Sequence, residues 1–268
     1  MSALQASIIV RTKDEAHNVV AVLSALRAQT VRAEIILVDS GSTDGTVALA
    51  RPLIDELVEM PAAEYRPGRA LNLGAAAASG EIHGALSAHC RPTDEGWLER
   101  SLALYDDARV AGTNGTNRLA DGSHLANLFL QGPDHLTDMT WGFSNHASTW
   151  RADVWTEHPF DATMPASEDR VWAAEVIHAG WLLAFHPSID VAVTHRWSGT
   201  PLAYYRRLRD ENRWAQRAGP VPRYTVGDAV RSWWHEIPED HHSTAFHRLN
   251  PKRMAEKGAI WSGRRRPA

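Results

Sequence analysis

The sequence is poor in the features that mark secreted, membrane-spanning and nucleic-acid-binding chains. Cysteine occurs once among the 268 residues, at Cys90, so no internal disulfide can form. The amino terminus has neither a basic leader nor a long apolar segment, and cytoplasmic residence is the expectation. No stretch approaches the roughly 20 apolar residues that a bilayer crossing takes. Even the small-residue run from Leu73 to Ser79 stops at Gly80, so no transmembrane segment is expected. Basic residues are not in surplus: 28 Lys+Arg stand against 32 Asp+Glu, a formal charge of -4, which gives no positive field for a nucleic-acid backbone. Nucleic acid is therefore not an expected partner. Hydrophobic residues are plentiful at 44%, enough for one large core. The 14 His and 11 Trp suggest ligands only position by position.

The first hundred residues alternate two periods. Ser7-Ile8-Ile9-Val10 is a buried-strand run opening onto the polar series Arg11-Thr12-Lys13-Asp14-Glu15, which places Thr12 and Glu15 where a crevice should lie. Val19, Leu23 and Leu26 then recur at helical spacing. Glu34 to Val38 repeats the strand signal and ends at Asp39-Ser40-Gly41-Ser42-Thr43-Asp44-Gly45, a turn that can cap a helix from Thr46. Further strands are expected at Leu57 to Met60 and Glu81 to Ser87, with helices at Ala70 to Ala78 and Trp97 to Tyr105. Such alternation predicts an α/β fold with a mostly parallel central sheet flanked by helices and ligands at the carboxyl ends of the strands. Residues 106–145 lack a sustained period and read as loops and short edge strands of an irregular acceptor-side region. A strand at His146 to Trp150, a helix from Glu168 to Ala179, strands at Trp181 to Phe185 and Ile189 to Val193, and helices at Pro201 to Gln216 and Val226 to Trp234 complete the reading. Lys252 to Arg266 is a basic tail, read as a mobile end.

Several polar residues stand where chemistry could occur, each with a plainer alternative. Asp39 could accept hydrogen bonds from a base or sugar, or simply close an Asx turn. Arg66 and Arg69 could neutralise a diphosphate ahead of a helix, or be solvated; Asn72 could orient that loop or a ligand, or stabilise a turn. His89 and His195, each after a strand, could ligate a divalent cation or donate to phosphate, or be core histidines. Glu168 and Asp169 open a helix, where they could cap it or hold a carboxylate toward a cavity; Asp169 could then deprotonate an acceptor hydroxyl while Glu168 binds a hydroxyl or orients the loop. His235, Glu236, Asp240, His241 and His242 match no metal spacing and read as a solvated turn. Trp172, Trp181, Trp233 and Trp234 could stack on sugars or be buried; the late aromatic helices could also build a homodimer.

Taken together and in order, Ser7-Ile8-Ile9-Val10-Arg11-Thr12-Lys13-Asp14-Glu15, Val38-Asp39-Ser40-Gly41-Ser42-Thr43-Asp44, Gly68-Arg69-Ala70-Leu71-Asn72-Leu73-Gly74, Leu86-Ser87-Ala88-His89 and Ser167-Glu168-Asp169-Arg170-Val171-Trp172 resemble the nucleotide-sugar-dependent glycosyltransferases of family 2, which have the GT-A fold. The resemblance spans roughly residues 5 to 200. It implies a nucleoside-diphosphate sugar as donor and a glycan, lipid-linked sugar or small metabolite as acceptor. Asp39 is then the base-recognising residue, Arg69 and Asn72 lie on the diphosphate side, and Asp169 is the general base of an inverting transfer supported by Glu168. Ser87 and His89 replace both carboxylates of the family's Asp-X-Asp motif, so the implied Mg²⁺ or Mn²⁺ would rest on His89 and His195, and metal-assisted and weakly metal-dependent transfer are both open. On this reading residues 1–105 form the nucleotide-sugar-binding half, 106–200 the acceptor-binding and catalytic half of the same domain, and 201–268 a helical extension with its basic tail. A nucleotidyltransferase making an activated sugar and a non-catalytic carbohydrate-binding protein are the competing readings.

Overall fold

The computed structural model describes residues 5–115, 126–135, 143–189, 191–193, 200–219, 224–235 and 251–265, with the main chain alone for 233–235, 251–253 and 265. Three strand–helix units come first: β1 (Ala6–Thr12), α1 (Val19–Arg27), β2 (Glu34–Asp39), α2 (Thr46–Ala50), β3 (Glu56–Glu59) and α3 (Pro67–Ala77), ending in β4 (Ile82–Ser87). Next come β5 (Cys90–Pro92), α4 (Trp97–Ala103), β6 (Val110–Asn114), β7 (Phe129–Gln131), β8 (Ala147–Arg151), α5 (Ala152–Glu157), α6 (Glu168–His178), β9 (Leu182–Phe185) and β10 (Val191–Val193). Helices α7 (Pro201–Ala215), α8 (Val226–His235) and α9 (Pro251–Arg265) close the described chain. Among the described residues no helix is long and apolar enough to cross a membrane.

One eight-stranded sheet runs β3-β2-β1-β4-β8-β6-β9-β7. Strands β1 to β4 are mutually parallel, as is the β6–β9 pair, while β8 runs antiparallel between β4 and β6. This is the GT-A-like layout expected from the motifs. Successive side chains of β1 and β2 enter opposite layers. Ile9, Ile36 and Val38 pack with Leu71, Trp150, Phe160 and Trp172 under α3 and α6. Ile8, Val10, Ile35 and Leu37 pack with Val19, Leu23 and Leu26 of α1 and with Trp97. Gly74 lets α3 lie close to the sheet, because a Cβ there would run into the Ile9 and Val38 side chains.

Two expectations need correction. The segment 106–145 is not confined to loops and edges: β6 is buried along its whole length, between β8 and β9. Its sequence, Val110-Ala111-Gly112-Thr113-Asn114, lacks the branched apolar run of a buried strand. Its polar groups are satisfied internally instead, with Thr113 Oγ1 2.7 Å from Thr149 Oγ1 and Asn114 Nδ2 donating to the Ser144 carbonyl at 2.9 Å. The second correction concerns the basic end. Residues 251–265 form a helix docked on α7, where the Tyr205 hydroxyl donates to Ser262 Oγ at 2.8 Å and Gln216 Nε2 to the Gly263 carbonyl at 2.8 Å. Small residues make that approach close, since a Cβ on Gly263 would strike the Arg209 carbonyl. Of the tryptophans, Trp172 is a core residue; the side chains of Trp233 and Trp234 lie outside the described residues.

Candidate active site

The polar ends of β1, β2 and β4 converge on a cavity of about 290 Å³. Arg11 and Thr12 line it from β1 and Ser87 from β4, while Lys13, Glu15, Ser40 and His89 line it from the turns just after β1, β2 and β4, together with Tyr65. This is the carboxyl edge of the parallel strands, where α/β sheets take ligands. The loops around it are tied together. Asp14, in a left-handed conformation at φ 52°, receives a hydrogen bond from the Thr43 N–H at 2.8 Å, and Asp44 receives one from the Ala16 N–H at 2.9 Å. The hydroxyl of Thr12 is buried and has no hydrogen-bond partner among the described residues.

Asp39 closes its own turn. One carboxylate oxygen accepts from the Gly41 and Ser42 N–H groups, each at 2.9 Å, and the other from the Ser42 hydroxyl. Arg69 pairs with Glu64 on the surface, and Arg66 donates to the Tyr65 carbonyl at 2.7 Å. Asn72 is an internal clamp: its amide donates to the Phe160 carbonyl at 2.7 Å and its oxygen accepts from Trp155 Nε1 at 2.9 Å and the Phe160 N–H at 3.1 Å. These contacts fix α3 to the segment before α6. Thr12 and Glu15 line the cavity, whereas Asp39, Arg66, Arg69 and Asn72 do not contribute to its walls.

The second cluster stands beside the first. Glu168 is buried at the start of α6, and Asp169 is half-buried next to it. Arg11 joins the two clusters: it lines the cavity, lies 3.6 Å from Glu168 Oε1 through Nη1, and donates from Nη2 to the Asn145 carbonyl at 2.9 Å. Burial, reinforced by the neighbouring Asp169 charge and opposed by Arg11, pushes the Glu168 carboxyl up to about 7. Two adjacent carboxylates in unlike environments are a common arrangement for divided acid–base roles. His146 stands near both clusters, its ring 6.1 Å from that of His89. Its side chain is exposed at the surface, and desolvation and then the Arg11 charge lower its imidazole pKa against the opposing charge of Asp169.

A divalent cation would draw on His89, Glu15 and Ser87 here. His89 Nδ1 is 3.1 Å from Glu15 Oε1, but Ser87 offers a hydroxyl where a carboxylate would be expected. Among the described residues no three His, Cys, Asp or Glu side chains are gathered to hold a metal. The described set therefore does not fit a divalent centre by itself, and His195 lies outside the described residues, as do Glu236, Asp240, His241 and His242.

Arg11, Lys13, Ser40, Tyr65, Asn145 and His146 are the site residues that sequence reasoning did not single out. Arg11 and Lys13 stood within a quoted motif, and Ser40 in a quoted turn. Tyr65 and Asn145 carried no periodic or motif signal.

A sequence model described as Glycosyl transferase family 2 matches residues 7–158, more than half of the chain. The glycosyltransferase AglE of Haloferax volcanii is 29% identical over 197 residues, covering 67% of this chain and 63% of that protein, so the chain spans under two thirds of the curated relative's length. Among solved structures, the mannosyltransferase PcManGT of Pyrobaculum calidifontis, in complex with GDP-Man and Mn²⁺, superposes with a TM-score of 0.63 at 20% identity, over 83% of this chain and 67% of that one. The S. aureus TarS fragment 1–349 in complex with UDP-GlcNAc gives 0.59 at 15% identity, over 78% and 66%. Identities this low bear on the fold alone, but the sequence match is broad and starts within β1: the chain belongs to glycosyl transferase family 2.

Proposed function

We propose that the chain transfers a sugar, with inversion, from a nucleoside-diphosphate sugar to an acceptor hydroxyl, using Asp169 as general base. The observation that carries this is the bridge made by Arg11: one guanidinium lines the cavity and pairs with Glu168, so the Glu168–Asp169 turn and the crevice share a wall. In this reading the donor lies across the ends of β1, β2 and β4, and the acceptor approaches from the α6 side. Residues 1–105 supply the donor half, 106–200 the acceptor half, and 201–268 the supporting helical layer.

The steps assigned to the protein are these. Asp169 accepts the proton of the acceptor hydroxyl as its oxygen attacks the anomeric carbon; the bond to the nucleoside diphosphate breaks on the opposite face. Arg11, Lys13 and the unpartnered hydroxyl of Thr12 offer donors to oxygens gaining charge. Asp39 shapes the turn that receives the base through Ser40 to Ser42, an indirect form of base recognition. The Pyrobaculum enzyme holds Mn²⁺ beside GDP-Man; His89 and His195 are the residues to test for a divalent cation in this chain. The acceptor is a glycan, a lipid-linked sugar or a small metabolite.

Family membership weighs against nucleotidyl transfer, and the carboxylate turn beside a cavity weighs against a purely sugar-binding role. The deciding experiment is a panel of nucleotide sugars crossed with divalent ions, read by release of nucleoside diphosphate and by donor-induced thermal shift. Sugar transfer yields nucleoside diphosphate; consumption of a nucleoside triphosphate with release of pyrophosphate, or binding without turnover, defeats the proposal.

A further inference from the structure

Asn145 lies just before β8, is 1% exposed, and has every one of its polar groups engaged. Its main-chain N–H donates to Asp169 Oδ2 at 3.2 Å, and its side-chain amide donates to Glu168 Oε1 at 3.3 Å. Its main-chain carbonyl accepts from Arg11 Nη2 at 2.9 Å, and its side-chain oxygen accepts from the Ser148 hydroxyl at 3.1 Å. The Glu168 contact assigns the amide orientation: an ionised carboxylate takes only a donor, so the nitrogen faces Glu168 and the oxygen is left to accept from the Ser148 hydroxyl. A residue serving only the β8 entrance would need the Ser148 contact alone. Here one buried residue reaches the cavity wall, the buried carboxylate and the half-buried carboxylate together.

We propose that Asn145 is the positioning residue of the catalytic turn, holding Glu168 through its side chain while its main chain holds Asp169 and Arg11. The proposal rests on the reading of Asp169 as the base. Its physical content is that two adjacent carboxylates repel, so each needs its own donor to keep a defined rotamer. Asn145 gives one donor to each, and its side-chain rotamer, held by the Ser148 hydroxyl, sets the distance between the two donors. The result is a pre-set geometry for Asp169 that does not depend on bound substrate.

Asn145→Ala removes the amide and leaves both main-chain contacts in place, so it isolates the hold on Glu168. Three measurements follow on folded protein: calorimetry with UDP and GDP, turnover with UDP-GlcNAc and GDP-mannose as probes (hydrolysis to water included), and the titration of Glu168 by ¹³C NMR of protein labelled at glutamate carboxyls, assigned by loss of the signal in Glu168→Gln. The expected result is nucleotide affinity within about twofold, turnover lower by about tenfold, and Glu168 titrating at higher pH because its carboxylate has lost a donor. Ser148→Ala, which frees only the amide oxygen, gives the same changes in smaller size, and it carries the test if Asn145→Ala does not fold. Unchanged turnover and unchanged Glu168 titration in a folded variant overturn the proposal, as does a parallel loss of nucleotide affinity and turnover. The base assignment fails separately: Asp169→Asn with full turnover rejects that reading, whereas an inactive Asp169→Asn beside a fully active Asn145→Ala rejects only the role of Asn145.

Discussion

At the scale of single residues, the two neighbouring carboxylates make different predictions. Asp169→Asn keeps the size of the side chain and the hydrogen bond that Oδ1 accepts from the Arg170 N–H, but gives up the proton acceptor. Turnover should fall by about 10² to 10⁴ while nucleotide-sugar affinity changes little, a split read by steady-state kinetics beside calorimetry; equal loss of both rejects it. Glu168 is a question of linkage. Its folded-state pKa, about 7, stands above the ordinary carboxyl value of 4.5, so folding favours the protonated form. The stability it lends is complete below the unfolded value and is lost as pH rises through the folded one. Denaturation midpoints of wild type and Glu168→Gln, compared from pH 4.5 to 8, should therefore show the wild type losing ground to the variant as pH rises toward 7, then a constant gap. A difference that does not vary with pH rejects the assignment. The pair Glu168-Asp169 was legible because two acids at a helix start stand out in any sequence. Arg11 and Asn145 were not: an arginine at a strand end and an asparagine in an aperiodic stretch become site residues only when β1, β8 and α6 are assembled.

At the scale of elements, close approach of helix and sheet is the main constraint beside the crevice. Gly74→Ala puts a methyl group into the Ile9 and Val38 side chains, and such overpacking costs about 1–3 kcal/mol. The measurement is chemical denaturation, and an unchanged midpoint refutes the packing account. Asn72→Ala acts in the same stretch of α3 by leaving the Phe160 main chain and Trp155 Nε1 without their partner, and should cost about 1–3 kcal/mol for the orphaned groups. Because α3 borders the crevice without lining it, nucleotide affinity should fall less in Asn72→Ala than stability does; a selective loss of affinity would instead restore a ligand role to Asn72. The strands β1 and β2 were legible from branched apolar runs that stop at polar turns, whereas β4 carries His83 and Gly84 within it and gave a weaker signal. Strand β6 was not, since its polar residues are satisfied by Thr149 and Ser144, far along the chain, and not by its own pattern.

At the scale of the whole molecule, the helical layer bears on the Glu168–Asp169 turn. Ser167, in a left-handed conformation at φ 63°, opens α6, and its hydroxyl donates to the Glu211 carbonyl of α7 at 2.9 Å. Helix α7 in turn is covered by α9, through Tyr205, Gln216 and the close approach at Gly263. The chain of contact runs from a carboxyl-terminal helix to the residue before Glu168. Read as composition, 251–265 is a basic run with one acid. Its docking depends on small residues, Ala259 and Gly263, whose use appears only opposite α7. Ending the chain at residue 250 should uncover α7 and lower the melting temperature, each kcal/mol lost lowering it by about 2–4 °C. If α7 steadies the turn through Ser167, turnover should drop further than nucleotide affinity, because β1, β2 and β4 hold the crevice without help from this layer. Ser167→Ala in the full-length chain separates the two effects: it should reproduce part of the turnover loss with a smaller change in melting temperature. A truncated chain that turns over normally, or a Ser167→Ala variant indistinguishable from wild type in rate, would leave the helical layer as a purely structural cover.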